Sequence, residues 1–171
     1  MNIILCGMPK SGKTTLGQLA ATRLNRTFID TDRVIEAMYH SATGESLACH
    51  EIYRKEGSEA FRYLEQQAIA TLKTAKSCII AVGGGALQNA KNLNILRRLG
   101  MLIYLQADTK VLLERILARR IPAYLDALHP EQSLEQLHEE RTQTFEQSAH
   151  KIINTENLST DQIVEMICST E

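Results

Sequence analysis

The sequence predicts an α/β fold in which five short parallel strands form a sheet flanked by helices. Two observations predict it. Short apolar runs rich in β-branched residues alternate along the chain with stretches of helical periodicity, the pattern of repeated strand–helix–strand units. Glycine-rich or acidic segments stand just after three of those runs, and parallel sheets hold their ligands at the carboxyl ends of strands.

The elements follow in order. Asn2 to Cys6 is a buried strand bounded by Gly7. Thr14 to Leu24 is a helix, with Leu16, Leu19, Ala20 and Leu24 at helical spacing. Phe28 and Ile29 make the second strand, which ends at Asp30. A helix with Val34, Ile35 and Met38 on one face follows, and Thr43-Gly44-Glu45-Ser46 reads as a turn and a helix N-cap. Gly57 to Lys73 is a longer amphipathic helix that turns Phe61, Leu64, Ala68, Ile69 and Leu72 inward. Ser77 to Val82 is the third strand, closed by Gly83-Gly84-Gly85. A helix over Asn89 to Leu99 precedes the fourth strand, Met101 to Leu105, and another helix begins near Asp108. Arg119 to Ser133 has no clear period and contains Pro122 and Pro130. A helix over Leu134 to Ala149, a strand over Lys151 to Asn154 and a helix over Thr160 to Cys168 finish the chain.

No linker, repeat or low-complexity segment divides the sequence, so residues 1–171 are expected to form one domain. The chain carries 19 basic and 20 acidic side chains, and this balance gives no long-range attraction to nucleic acid or anionic membrane. No apolar run approaches the roughly 18 residues of a membrane span. The first residues lack the basic n-region of a signal peptide. Cys6, Cys49, Cys78 and Cys168 are scattered without a Cys-x-x-Cys pair and read as reduced thiols, which predicts a cytoplasmic protein. His40, His50, His129, His138 and His150 form no ligand cluster.

Gly7 to Thr14 reads G-x-x-x-x-G-K-T between a predicted strand and a predicted helix, the context that defines a phosphate-binding loop, or P-loop. Glycines let backbone N–H groups turn toward phosphate oxygens, and the helix that starts near Lys13 adds the positive end of its dipole. Lys13 is expected to reach the β- and γ-phosphates of a nucleoside triphosphate, and the Thr14 hydroxyl to bind Mg²⁺. Gly7, Pro9, Lys10, Ser11, Gly12, Lys13, Thr14 and Thr15 are the expected nucleotide-binding residues.

No Asn-Lys-x-Asp segment of a GTPase is present, and the chain is short and slightly acidic for a nucleic-acid motor. A kinase for a small metabolite remains. Asp30 and Asp32 end the second strand beside the P-loop. One carboxylate can cap the next helix, while a pair also allows one to hold Mg²⁺ and one to accept a proton from a hydroxyl. Arg62 and Glu65, three apart on the long helix, read as an ion pair. Gly83, Gly84 and Gly85 expose backbone N–H groups and leave room for a ligand.

Together these residues resemble the shikimate kinases. That family shares a nucleoside-monophosphate-kinase-like fold, a P-loop, an Asp-x-Asp after strand two, a Gly-x-x-x-Phe-Arg-x-x-Glu helix, a Gly-Gly-Gly turn, an arginine-bearing lid and a later arginine before an aromatic residue. Here these are Gly7 to Thr14, Asp30 and Asp32, Gly57 to Glu65, Gly83 to Gly85, a lid over about 119–133, and Arg141 with Phe145. The resemblance implies ATP-dependent phosphorylation of the 3-hydroxyl of shikimate, a step of aromatic amino acid biosynthesis, in a monomer. It implies that Arg62 and Arg141 clamp the acceptor carboxylate, that Asp32 orients or deprotonates the hydroxyl, and that Gly83, Gly84 and Gly85 line the ring. Glu65 would hold Arg62, while Thr14 and Asp30 would manage Mg²⁺. Lys13, Asp32 and a lid arginine are the implied catalytic groups.

The chain departs from the family at the lid. The family usually has Arg-Pro and two apolar residues, whereas this chain reads Arg119-Arg120-Ile121-Pro122-Ala123-Tyr124-Leu125. Arg119 or Arg120 is the lid arginine, and Arg120, nearer the proline, is the preferred reading. Tyr124 receives no role. Arg115 resembles an adenine-stacking arginine of the family and reads equally as an ordinary surface residue. Thr155-Glu156-Asn157 lacks the proline that often helps seat adenine. Two alternatives stay open: a kinase of the same architecture for another acceptor such as gluconate, and a nucleotide-binding regulator without catalysis.

Overall fold

β1 (Asn2–Cys6) is buried at every position, as an uninterrupted apolar run in a sheet covered on both faces must be. The computed structural model describes residues 1–118, 121, 122 and 124–170. β1 pairs in parallel with β3 (Cys78–Ala81) on one side and β4 (Gly100–Gln106) on the other. β2 (Thr27–Asp30) extends the sheet beyond β3, and β5 (Lys151–Asn154) extends it beyond β4, giving the all-parallel order β2-β3-β1-β4-β5. The five strands are those the sequence predicts, with ends shifted by a residue or two.

Alternate side chains divide the core between two faces. Ile3, Leu5, Ile79, Ile103, Leu105 and Ile153 pack against α1 (Lys13–Leu24) and α7 (Thr160–Cys168) through Leu16, Ala20, Ile163 and Ile167. Ile4, Cys6, Ile80, Val82, Leu102 and Tyr104 turn to the opposite face. They meet Ile69 of α3 (Cys49–Thr71), Leu96 of α4 (Ala90–Leu99), Leu112 and Ile116 of α5 (Thr109–Leu117), and Phe145 of α6 (Pro130–Ser148). Each such side chain withdrawn from water contributes about 1.5–3 kcal/mol. A separate cluster, Ile35, Tyr39, Ile52, Phe61 and Ala68, joins α2 (Thr31–Thr43) to α3 beside the β2 edge.

Polar side chains close the helices where the sequence places them. Asn89 caps α4, Asp108 caps α5, and Ser159 with Gln162 forms a capping box on α7.

Two boundaries differ from expectation. Thr43 to Ser46 does turn the chain, with Gly44 at φ 78 ending α2, but α3 starts at Cys49 with Ala48 as its N-cap. Glu51 reaches back to accept from the Ala48 N–H at 2.8 Å. Gly57, expected to open the helix, instead interrupts α3 at φ 84 and ψ 171. Residues 49–56 therefore form an extra helical piece before the predicted one. α6 starts at Pro130, four residues earlier than Leu134, because a proline at the first helical position loses no hydrogen bond. The irregular stretch is correspondingly shorter than 119–133.

Candidate active site

The P-loop leaves β1 at the middle of the sheet, where successive strands are laid down on opposite sides and the strand ends open a crevice. Gly7 adopts φ 141, and a Cβ there would lie 2.6 Å from the Leu105 carbonyl oxygen of β4. Only glycine fits such a position. Gly12, at φ 94, precedes α1 and offers no side chain to cap it, nor does the first turn hold an acidic residue. The first N–H groups of α1 are thus left for an anion. Lys13 is buried, and its Nζ donates to the carbonyl oxygens of Gly7 (3.0 Å) and Met8 (2.7 Å). Burial lowers its pKa to about 8, against the opposing pull of Asp32, Cys6 and Asp30.

Asp30 divides its two oxygens. Oδ1 accepts from the Asp32 N–H at 3.0 Å and caps α2, while Oδ2 accepts from the Thr14 hydroxyl at 2.9 Å. One carboxylate thus both caps α2 and reaches the hydroxyl of the P-loop threonine. Between the two aspartates, the fully buried Thr31 accepts from the Gly83 N–H at 3.1 Å and ties the end of β2 to the end of β3. Asp32 looks into the crevice. Surrounding protein pushes its pKa up to about 6, Asp30 adds to the rise, and Lys13 opposes it. Asp32 is exposed to water through the open crevice, so that push is partly relieved until ligands displace the water.

Gly83, Gly84 and Gly85 each make room for a different neighbour. A Cβ on Gly83 would stand 2.9 Å from Glu65 Oε1 and 3.3 Å from Asp32 Oδ1. One on Gly84 would stand 2.6 Å from Pro9 Cδ, and one on Gly85 would stand 2.8 Å from both terminal nitrogens of Arg62. The motif is thus a floor on which the P-loop, Asp32 and the α3 side chains converge. Glu65 is buried, with 2% of its surface exposed, and accepts from Arg62 at 2.9 Å. Arg62 also lies 5.6 Å over the ring of Phe61, which packs edge-on to Tyr53.

Arg141 reaches the same floor from α6, donating to the Gly84 carbonyl oxygen at 3.0 Å. Only 8% of Arg141 is exposed, and burial together with Arg62 lowers its pKa. One turn further on, Phe145 stacks on Tyr104 with centroids 5.0 Å apart, which fixes the face α6 turns to the site.

Most of these residues line one cleft of about 1110 Å³, large enough for a nucleotide and a small acceptor together, while Gly7 and Thr31 lie behind its wall. Pro9, Lys10, Ser11, Gly12, Lys13, Thr14 and Thr15 line its phosphate end, while Asp32, Arg62, Gly83, Gly84, Gly85 and Arg141 line the other. Arg115 joins them and donates to the Lys10 carbonyl oxygen at 2.9 Å, so it braces the P-loop from α5. Arg119 and Arg120, between which the lid arginine was to be chosen, lie outside the described residues.

Thr31, Cys49, His50, Tyr53, Arg54 and Tyr124 belong to the site without having been singled out for it. Cys49 and Tyr53 sit four apart on the extra turns of α3, a one-face spacing that could have drawn attention to them. Nothing local marks Thr31 or Tyr124.

The oxygens of Thr14, Asp30 and Asp32 are the hard donors that suit Mg²⁺. Among the described residues no group of three or more His, Cys, Asp or Glu could hold a metal ion by itself. That sparse donor set fits a cation that completes its shell with water and nucleotide phosphates.

Comparison with known proteins agrees with this geometry. A family model described as shikimate kinase matches residues 9–170. The shikimate kinase of Caldanaerobacter subterraneus subsp. tengcongensis is 36% identical over 97% of this chain and 93% of its own length. That of Burkholderia thailandensis is 34% identical over 98% and 88%. Among solved structures, shikimate kinase from Acinetobacter baumannii in complex with shikimate superposes with a TM-score of 0.87 at 31% identity, covering 97% of this chain and 89% of the other. A gluconokinase from Sinorhizobium meliloti, 16% identical with a TM-score of 0.59 over 98% of this chain and 89% of its own, shares the fold alone.

Proposed function

The chain belongs to the shikimate kinase family, and from that premise we propose that it transfers the γ-phosphoryl group of ATP to the 3-hydroxyl of shikimate. The observation that carries this reading is the convergence of Arg62, Arg141 and Asp32 on the glycine floor, in the same cleft as the P-loop. Two guanidiniums suit a carboxylate, and a carboxylate of raised pKa beside them suits a hydroxyl.

In this reading the P-loop N–H groups and the uncapped start of α1 hold the phosphates. Lys13 turns from the Gly7 and Met8 carbonyls to phosphate oxygens. Arg62, steadied by Glu65, and Arg141 fix the acceptor through its carboxylate. Asp32 accepts a hydrogen bond from the 3-hydroxyl, aims its oxygen at phosphorus and takes the proton as the phosphoryl group moves. Phosphoryl transfer depends on positioning and charge neutralisation more than on covalent help, so this set suffices in kind. Thr14 and Asp30 hold Mg²⁺, which screens the phosphate charge when bound. Arg115 steadies the P-loop where the nucleotide enters. Arg120 remains our choice for the lid arginine, on its nearness to Pro122.

We further propose one kinase domain over residues 1–171, acting as a monomer in the cytoplasm without nucleic-acid or membrane partners. The near-neutral charge and the four free cysteines support this. Among the described residues no helix is long and apolar enough to cross a membrane.

The test is ADP release from Mg·ATP with and without shikimate, with gluconate in parallel. Strong stimulation by shikimate alone is expected. Stimulation by gluconate instead would void the acceptor assignment, and ATP binding without stimulation by either would favour a regulator.

A further inference from the structure

Tyr124 is a polar side chain in the cleft that the chemistry above leaves unused. It lies two residues beyond Pro122, in a turn closed by the Leu125 N–H donating to the Pro122 carbonyl oxygen at 3.1 Å. Leu125 is buried, and Ile121 and Tyr124 pack on the same core cluster, so the turn is fastened to the body of the protein. From that anchor Tyr124 presents its phenol to the cleft beside Arg141.

Among the described residues nothing hydrogen-bonds the Tyr124 hydroxyl. It is near enough to Arg141 and Asp32 for both to act on its ionisation, and Arg141 responds in turn to Tyr124 and Arg62. Burial is the larger influence on the phenol and keeps it protonated, with a pKa pushed up to about 12. The acceptor end therefore contains two guanidiniums that repel each other and a neutral O–H donor with no partner among the described residues. A carboxylate placed there relieves the repulsion and can accept from that donor.

We propose that Tyr124 is a specificity-determining residue of the acceptor site, its hydroxyl donating a hydrogen bond to the acceptor carboxylate beside Arg141. The inference rests on the reading of a carboxylate-bearing acceptor given above. Paired guanidiniums alone attract many small anions. A third donor from a different element fixes the plane of the carboxylate, and with it the direction in which the ring hydroxyls point toward Asp32.

Tyr124→Phe keeps the ring and its packing and deletes only the oxygen. The KM for shikimate should rise about tenfold or more, the loss of a hydrogen bond to a charged group. The KM for ATP should stay within about twofold. For a shikimate analogue with hydrogen in place of the carboxylate, kcat/KM should be the same in both proteins within about twofold. An unchanged KM for shikimate, or an equal loss with shikimate and the analogue, overturns the proposal. A purely packing role would instead lower the thermal midpoint and disturb both substrates. Failure of the unaltered protein to phosphorylate shikimate would refute the acceptor assignment. Turnover on shikimate with no effect of the substitution would refute Tyr124 alone.

Discussion

Gly85→Ala isolates the contribution of the glycine floor, because the nearest atoms its Cβ would meet all belong to one site side chain, Arg62. The backbone at Gly85 has φ −108 and ψ −2, which alanine adopts without strain. Its Cβ, however, would lie 2.8 Å from both terminal nitrogens of Arg62, where ordinary contact begins at 3.4 Å. The guanidinium must retreat by roughly half an ångström or more, since close-packed atoms do not overlap. It is held by one ion pair to the buried Glu65, so retreat misaligns both that pair and the clamp on the acceptor. Losing one well-aligned hydrogen bond to a carboxylate corresponds to about 1.5–3 kcal/mol, or roughly 10- to 100-fold in kcat/KM for shikimate. Stability should change by less than about 1 kcal/mol, because the conformation suits alanine. Coupled-enzyme kinetics with each substrate varied, and a urea unfolding curve, measure both quantities. Gly44→Ala is the control: no atom lies within 4 Å of its Cβ, but φ is +78. It should lose about 1 kcal/mol of stability with unchanged kinetics. A Gly85→Ala protein that keeps its shikimate kcat/KM within about twofold would refute the claim that the floor positions Arg62.

Asp32→Asn should abolish turnover while leaving ATP binding, measured by calorimetry, nearly intact; near-normal turnover would remove Asp32 as the proton acceptor. In the unaltered protein kcat at saturating substrates should fall about tenfold per pH unit below a pH near 6, as Asp32 becomes protonated. The same raised pKa has the opposite sign for stability. Folded protein binds the proton more tightly than unfolded chain, so ionising Asp32 lowers stability as pH rises through about 6. Asp32→Asn should therefore raise the urea midpoint at pH 8 and leave it unchanged at pH 3. Asp30→Asn keeps an oxygen for the α2 cap and should weaken only the Mg²⁺ dependence, whereas Asp30→Ala should also lose about 1 kcal/mol of stability; equal Mg²⁺ titrations for both variants and the unaltered protein would exclude Asp30 from the cation site. Arg115→Ala frees the Lys10 carbonyl and should raise the KM for ATP several-fold, by about the net worth of one hydrogen bond, without changing that for shikimate.

The phosphate loop was legible as a strand–loop–helix unit because its pattern is local: glycines, a lysine and a hydroxyl stand at fixed spacing between one strand and one helix. The strands were legible for the same reason, as short apolar runs between turn residues. α3 was misread at its start because Gly57 looks like a helix boundary, and residues 49–56 carry few apolar side chains to set a period. Pro130 was read as part of an irregular stretch although it opens α6, where its missing N–H costs nothing. At the acceptor end Arg62 and Arg141 lie far apart in the chain, and their meeting was reached through family resemblance alone. Thr31 and Tyr124 were beyond reach, since a lone threonine or tyrosine acquires meaning only from what the fold brings opposite it.

The ammonium of Lys13, held by the carbonyls of Gly7 and Met8, has a consequence for the order of events in each cycle. The loop encloses a cation of its own and is wrapped around it. On the proposed function, entry of a nucleotide is a substitution, in which phosphate oxygens displace carbonyl oxygens from the ammonium. An uncharged nucleoside has nothing to offer in that exchange and should be passed over. On the same proposal, the carbonyls take the ammonium back when the product nucleotide departs.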